Sequence, residues 1–202
     1  MNEPFIGPDG HARCRWCGGA PEFLGYHDQE WGFPVQDDQR LFEKLSLEGF
    51  QSGLSWRTIL AKRENFRKAF RDFDVAKVAR FTERDVERLL GDAGIVRHRG
   101  KIEAVINNAA RAQELIAQEG SLAAFIWRYE PDHSQLAAPQ SASTSAASIA
   151  LSKELKKRGW KFVGPTTVYA FMQAMGLIND HATDCVMRAK ATQARKRFKP
   201  PR

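Results

Sequence analysis

Residues 155–185 read LKKRGWKFVGPTTVYAFMQAMGLINDHATDC. A helix carrying Leu151 and Leu155 should stop at Gly159. Pro165 suits the first position of the next helix, whose apolar stripe is Val168, Phe171, Met172 and Met175. Between them Lys161-Phe162-Val163-Gly164-Pro165-Thr166-Thr167 forms a short glycine-containing hairpin. Such a hairpin can aim backbone N–H groups at a nucleic-acid phosphate, although a plain helix–helix turn has the same look. The stretch closes on His181 and Cys185, whose i, i+4 spacing predicts one shared helix face.

Thiolate and neutral imidazole are ligands that zinc prefers, and four of them close a tetrahedral structural site. Cys14 and His27 offer a second pair near the other terminus. One ion held by all four would join the two ends of the chain. Cys14-Arg15-Trp16-Cys17 is also a C-x-x-C, so Cys17 could replace one of the four. Ordinary buried cysteines and surface histidines remain the alternative for each residue.

The rest of the chain reads as helix. Asp37 or Asp38 can cap a helix bearing Leu41, Phe42 and Leu45. Trp56, Ile59 and Leu60 mark a second, and Thr82 with Asp85 predicts a cap before Val86, Leu89 and Leu90, with Gly91 as terminator. Ile102, Val105, Ile106 and Ala109 open a long amphipathic helix to about Gly120, and Leu122, Phe125 and Ile126 a short one. Period-2 alternation is almost absent, so the expected class is all-α without a substantial sheet. Residues 137–148, AAPQSASTSAAS, read as a mobile loop.

A chain of 202 residues can bury a sizeable core. No apolar run approaches the roughly 18 residues that span a bilayer, so no membrane partner is expected. MNEPFIGPDGHARC has no apolar core of a secretory signal, and three cysteines do not make a disulfide framework. A reducing, cytoplasmic location is therefore expected. The formal charge of +7 is matched by Arg188, Lys190, Arg195, Lys196, Arg197, Lys199 and Arg202, with no acid from 188 onward. The expected layout is one compact domain over 1–187 and a disordered basic tail over 188–202, the latter either a phosphate-seeking arm or a solubilising end.

Glu48 shares a helix face with Leu41 and Leu45, where the pattern asks for an apolar residue. A buried carboxylate is costly and is kept mainly where it binds or reacts. Otherwise Gly49 ends the helix and leaves Glu48 exposed. Trp16, Tyr26, Trp31 and Trp56 crowd the same quarter of the chain. Each alone reads as core. With the carboxylate they describe an aromatic slot with one acceptor, suited to a flat, electron-poor or cationic ring. The basic run Arg97-His98-Arg99-Gly100-Lys101 could touch backbone phosphate or lie solvated.

Taken together, CRW at 14–16, YHDQEWG at 26–32, LFEKLSLEGFQSGLSW at 41–56, AGIVRHRGKI at 93–102, LKKRGWKFVGPTTVYAFMQAMGLINDH at 155–181 and Cys185 resemble the 3-methyladenine DNA glycosylase I family, within the helix-hairpin-helix glycosylase superfamily. The resemblance spans about residues 14–185. It implies a helix-hairpin-helix glycosylase fold whose terminal segments meet at one structural Zn2+ held by Cys14, His27, His181 and Cys185. It also implies a monomer that acts on double-stranded alkylated DNA and hydrolyses the N-glycosidic bond of a flipped 3-methyladenine, released as free base. Glu48, as catalytic residue, and Tyr26 would hydrogen-bond the base, Trp56 would stack on it, and Trp16 and Trp31 would line the pocket. Lys161, Val163, Gly164 and Thr166 would meet the DNA backbone. A superfamily V-D-T-H-like run is matched here by Ile178-Asn179-Asp180-His181; aligned on the His, the usual catalytic Asp position holds Asn179, a shift of one residue would put Asp180 there instead, and no lysine stands beside it for a lyase step.

Two other classes are weighed. A zinc hydrolase or deaminase would use Glu30, three residues after His27, as base, but the deaminases need H-x-E with P-C-x-x-C where this chain has H-x-x-E, and four protein ligands leave zinc no open position. A non-enzymatic DNA-binding module leaves Glu48 and its aromatics unexplained.

Overall fold

The computed structural model describes residues 3–201 of the chain. The helices are α1 (Pro21–Gln29), α2 (Asp38–Gln51), α3 (Trp56–Ala61), α4 (Arg63–Ala69), α5 (Val75–Val78), α6 (Glu83–Gly91), α7 (Arg99–Glu119), α8 (Leu122–Trp127), α9 (Ala146–Lys157), α10 (Pro165–Ala174) and α11 (Val186–Arg197). The only sheet among the described residues is a ribbon in which Phe5–Ile6 pairs antiparallel with Ala12–Arg13. The expected all-helical class holds.

α2 is the central helix, packed against α10, α3, α7 and α8. Leu41, Phe42, Leu45 and Phe50 are buried on it, and Phe50, Phe66, Phe70 and Phe73 form a chain of ring contacts beneath. The two candidate caps divide the work. Asp37 accepts from Arg40 N at 2.8 Å and caps α2, whereas Asp38 accepts from Leu122 N and Ala123 N at 3.0 and 2.8 Å and starts α8. The Thr82–Asp85 capping box is formed at α6.

Helix α2 runs two residues past Gly49 to Gln51, because its last carbonyls find a partner in Lys101. The buried Lys101 ammonium donates to Phe50 O at 2.9 Å and Ser52 O at 2.5 Å. Arg99 pairs at the surface with Glu83, Glu87 and Glu103. Of the basic residues from 97 to 101, Lys101 therefore serves the fold. Lys101→Met is expected to cost about 1–3 kcal/mol, read by urea denaturation, because it strands buried carbonyls.

Three expectations are corrected. First, the basic tail is helical through Arg197, not disordered. Met187 and Ala191 are buried, Asn179 Nδ2 donates to Arg188 O and Thr192 Oγ1, Arg195 pairs with Glu130, and Phe198 packs on Trp127 at 4.6 Å between centroids. Removing residues after Met187 is thus expected to lower stability by about 2 kcal/mol or more, seen as a lower thermal midpoint, and not only to weaken salt-dependent DNA affinity. Second, His181 and Cys185 do not share a helix. They lie in the turn before α11, whose N-cap is Cys185. Third, the low-complexity stretch is anchored. Ser145 and Ser148 form a reciprocal cap that starts α9 at Ala146, and Gln140 N donates to Asp180 Oδ1 at 3.0 Å.

The α9–α10 connection is tightly clamped. Gly159 takes φ +81°, which a side chain would resist, and Trp160 N returns to Leu155 O. Asn108 brackets Lys161 from both sides, accepting from its N–H at 2.8 Å and donating to its carbonyl at 2.9 Å. Ser152 Oγ donates to Val163 O at 2.6 Å.

Candidate active site

Helices α1, α2, α3 and α10 enclose a cleft of about 280 Å³ lined by Trp16, Phe23, Tyr26, Trp31, Glu48, Gln51, Trp56, Gln140, Ala170 and Gln173. All five residues proposed for the base pocket meet here. Trp16 stands edge-on to Trp31 at 5.2 Å, and Tyr26 is tilted against Trp56 at 5.3 Å. The size suits one small flat ligand, at the lower end of the about 300–1,000 Å³ typical of ligand pockets.

Glu48 lies in the last turns of α2, only 6% exposed. It is not the isolated acid that the apolar pattern suggested. Lys44, one turn earlier, places Nζ 2.7 Å from Glu48 Oε1 and 2.7 Å from the Tyr26 hydroxyl. The same ammonium sits 3.4 Å from the Trp56 ring centroid. Burial pushes the Lys44 ammonium down in pKa, and Glu48 opposes that. Burial, and then the charges of Glu48 and Glu30, push the Tyr26 phenol well up, so it is a neutral O–H group. Lys44 does not line the cleft itself. It was missed at the sequence level, yet its i, i+4 spacing to Glu48 was readable.

Asn179 and Asp180 do not line this cleft. The Asn179 side chain faces α11 and His181. Asp180 accepts from Gln173 Nε2 at 2.6 Å and from Gln140 N, and so holds the two glutamines that do line it. Glu30 is bound in a paired bridge by Arg63 at 2.7 and 2.8 Å, which removes it as a free base. A separate cavity of about 340 Å³ under α11 has a cationic rim, but Arg188 is tied to the carbonyls of Asn179 and His181, and Arg195 to Glu130.

Behind Trp16 and Trp31 lies the cluster of metal-ligating types. Ligand atoms of Cys14, His27 and Cys185 lie within 4.8 Å of one another, all buried. Cys17 is buried but is not in that group. His181 falls outside the same spacing, with its ring 4.9 Å from His27. Its Nε2 is buried and has no hydrogen-bond partner, while Nδ1 lies 2.9 Å from Asn179 Oδ1. His27 is fixed likewise, Nδ1 lying 2.7 Å from Asp28 Oδ1, and Arg13 grips Asp28 in turn. Burial, aided by His27, lowers His181 to about 4, so its ring is neutral. The Cys14 hydrogen bond lowers Cys185, with help from His27. A neutral His181 ring, two imidazoles whose Nδ1 atoms are held from outside by Asn179 and Asp28, and a thiol poised to ionise fit a metal's donor set. Gly32 permits this packing, since a Cβ there would lie 2.5 Å from the His181 ring.

At the hairpin, Lys161, Phe162 and Thr166 are exposed, Val163 is buried, and Gly164 caps α10. The side chain of Val163 is therefore unavailable to a ligand. Lys161 and the N-terminal N–H groups of α10 are the parts that remain presentable.

An aromatic cleft with one ion-paired carboxylate, set beside a clamped helix–turn–helix, is an architecture suited to a base-binding enzyme of nucleic acid. The methyladenine glycosylase family model matches residues 16–189. The chain is 52% identical over 178 residues to DNA-3-methyladenine glycosylase 1 of Escherichia coli K12, covering 86% of this chain and 95% of that one. It is similar to a crystal structure of 3-methyladenine DNA glycosylase I at TM-score 0.79 and 49% identity, covering 86% and 98% of the two chains. It also matches the Staphylococcus aureus enzyme solved for the structural basis of 3-methyladenine recognition, at TM-score 0.79 and 39% identity, over 84% and 92%. The chain belongs to the methyladenine glycosylase family and is an N-glycosyl hydrolase. Among the described residues, no helix is long and apolar enough to cross a membrane.

Proposed function

We propose that this cleft receives 3-methyladenine flipped out of double-stranded alkylated DNA and that the enzyme hydrolyses its N-glycosidic bond, releasing the free base. The observation that carries this is the convergence of Glu48, Tyr26 and Trp56 on one cleft of single-base size. Methylation at N3 makes the base cationic and already a good leaving group. The pocket need not supply a strong acid. It must grip the base and expose C1′ to water, and the contacts made there offset a flipping cost of a few kcal/mol. Trp56 offers the stacking face, with Trp16 and Trp31 forming the wall. Glu48 accepts from the base, and its charge stabilises the positive charge that spreads onto the sugar in the transition state. A monofunctional reaction, without a lyase step, is supported because Lys44 Nζ is held by Glu48 and Tyr26 and does not line the cleft.

The hairpin would dock the DNA backbone, with Lys161 contributing charge and Gly164, Thr166 and the Val163 main chain contributing the α10 N-terminus. In this reading α9, the turn and α10 are the helix-hairpin-helix element. Cys14, His27, Cys185 and His181 would hold one structural Zn2+, tying the first helix to the turn before α11, with no open position and no part in the reaction. Three free cysteines suit a reducing cytoplasm. The enzyme would act as a monomer.

The test is incubation with N3-methylated duplex DNA, with released bases separated chromatographically. Free 3-methyladenine is expected, and borohydride should trap no protein–DNA adduct. An altered but still attached base would point to a deaminase, and tight binding without product to a binding module.

A further inference from the structure

We propose that Lys44 is a specificity-determining residue: it sets the hydrogen-bond polarity of the cleft so that an adenine-type base is accepted and a purine bearing O6 is refused. The proposal rests on the function proposed above and gives Lys44 a role in base selection that this reading does not assign.

A lysine ammonium has three donors and no acceptor. Lys44 Nζ lies 2.7 Å from both the Tyr26 hydroxyl and Glu48 Oε1, with the side chain buried. Tyr26 must therefore accept from Lys44, and its own hydrogen is left for another partner. No acceptor takes it among the described residues, and Tyr26 lines the cleft. Glu48 likewise has one oxygen occupied and one left, and an ionised carboxylate can only accept. The cleft consequently presents one donor beside one acceptor. The remaining charges nearby, Glu30 and Arg63, are paired with each other and do not compete. Without Lys44, nothing compels the Tyr26 oxygen to accept, so its hydroxyl can donate or accept toward the cleft, and Glu48 loses the cation that occupies one of its oxygens. The donor–acceptor pattern is then no longer fixed.

Adenine carries the acceptor N7 next to the N6 amino donor, whereas guanine carries two acceptors, N7 and O6, on the same edge. N3 methylation makes either purine cationic, so charge does not separate them. The donor–acceptor order does. An O6 base would bring an acceptor against the Glu48 carboxylate, and a site built to bond a substrate donor rejects an analogue lacking it by as much as about 10⁴-fold.

The experiment uses duplex DNA methylated at N3 of both adenine and guanine, with wild type, Lys44→Met and Lys44→Gln. Release of 3-methyladenine and 3-methylguanine is measured from the same reaction under enzyme excess, so the ratio does not depend on the folded fraction. Wild type should strongly favour 3-methyladenine. Each variant should lose about tenfold or more in 3-methyladenine release. Release of 3-methylguanine should stay within about twofold, so that the ratio falls by about an order of magnitude. Equal proportional losses of both activities, complete loss included, or an unchanged ratio would overturn the role of Lys44. If wild type releases no 3-methyladenine, the proposed function itself fails. If wild type releases it and the ratio does not move, only the Lys44 assignment fails.

Discussion

Glu48→Gln is expected to lower kcat/KM on N3-methylated DNA by about 10²–10³-fold, the range seen when one preorganised electrostatic group is removed from an active site. The amide keeps the shape but only one acceptor, for Lys44 or for the base, because its NH2 can only donate. What it loses is the negative charge facing a cationic base and the positive charge that develops on the sugar. The loss should fall mainly on kcat, because charge on the sugar grows toward the transition state. Some stability goes with it. Lys44 is buried and Glu48 is its counter-charge, so about 1–3 kcal/mol should be lost. Kinetics are therefore to be measured well below the thermal midpoint of the variant. Turnover within about threefold of wild type would remove Glu48 from the chemistry.

Loss of the Cys14–His27–Cys185 cluster is the second large effect. Cys185→Ser, or prolonged chelation, should lower the thermal midpoint by about 6–20 °C, taking a loss near 3–5 kcal/mol and about 2–4 °C per kcal/mol for a chain of this size. The cause is geometric. Cys14 precedes α1 and Cys185 caps α11, so without an ion three buried donors and the unpartnered His181 Nε2 face one another. The wall formed by Trp31 packs directly on His27 and His181, at 6.0 and 4.7 Å between centroids, so the cleft should loosen as well. Activity at low temperature should nevertheless persist, since nothing in the cluster lines the cleft. Elemental analysis should find one zinc per chain. Absence of metal, together with an unchanged midpoint in Cys185→Ser, would remove the metal from the fold.

Periodicity made α2, α7 and α10 legible because each buries one stripe in a single core. The position of Glu48 was legible for the same reason, as a carboxylate interrupting a stripe. The cleft was only half legible. Its aromatics cluster in sequence because α1 and the loop around Trp31 fold locally onto α2. Gln140 and Gln173 come from distant segments, Gln173 through the packing of α10 on α2, and Asp180 holds both, a contact no spacing rule encodes. The spacing of His181 and Cys185 misled for a related reason. An i, i+4 pattern is shared by helix and compact turn, and here the backbone stops after α10 and restarts at Cys185. The tail misled because its charges mask an apolar face on which Ala191 is buried and Phe198 packs on Trp127. Lys44 carried no expectation, although its spacing from Glu48 is that of an ion pair.

The most direct measurement is a crystal structure of the protein soaked with free 3-methyladenine. The base should lie against Trp56, between it and the wall of Trp16 and Trp31, with its amino group on the free Glu48 oxygen and Tyr26 donating to a ring nitrogen. A base bound in the cavity under α11, or in the cleft with its amino group turned away from Glu48, would contradict the proposed recognition.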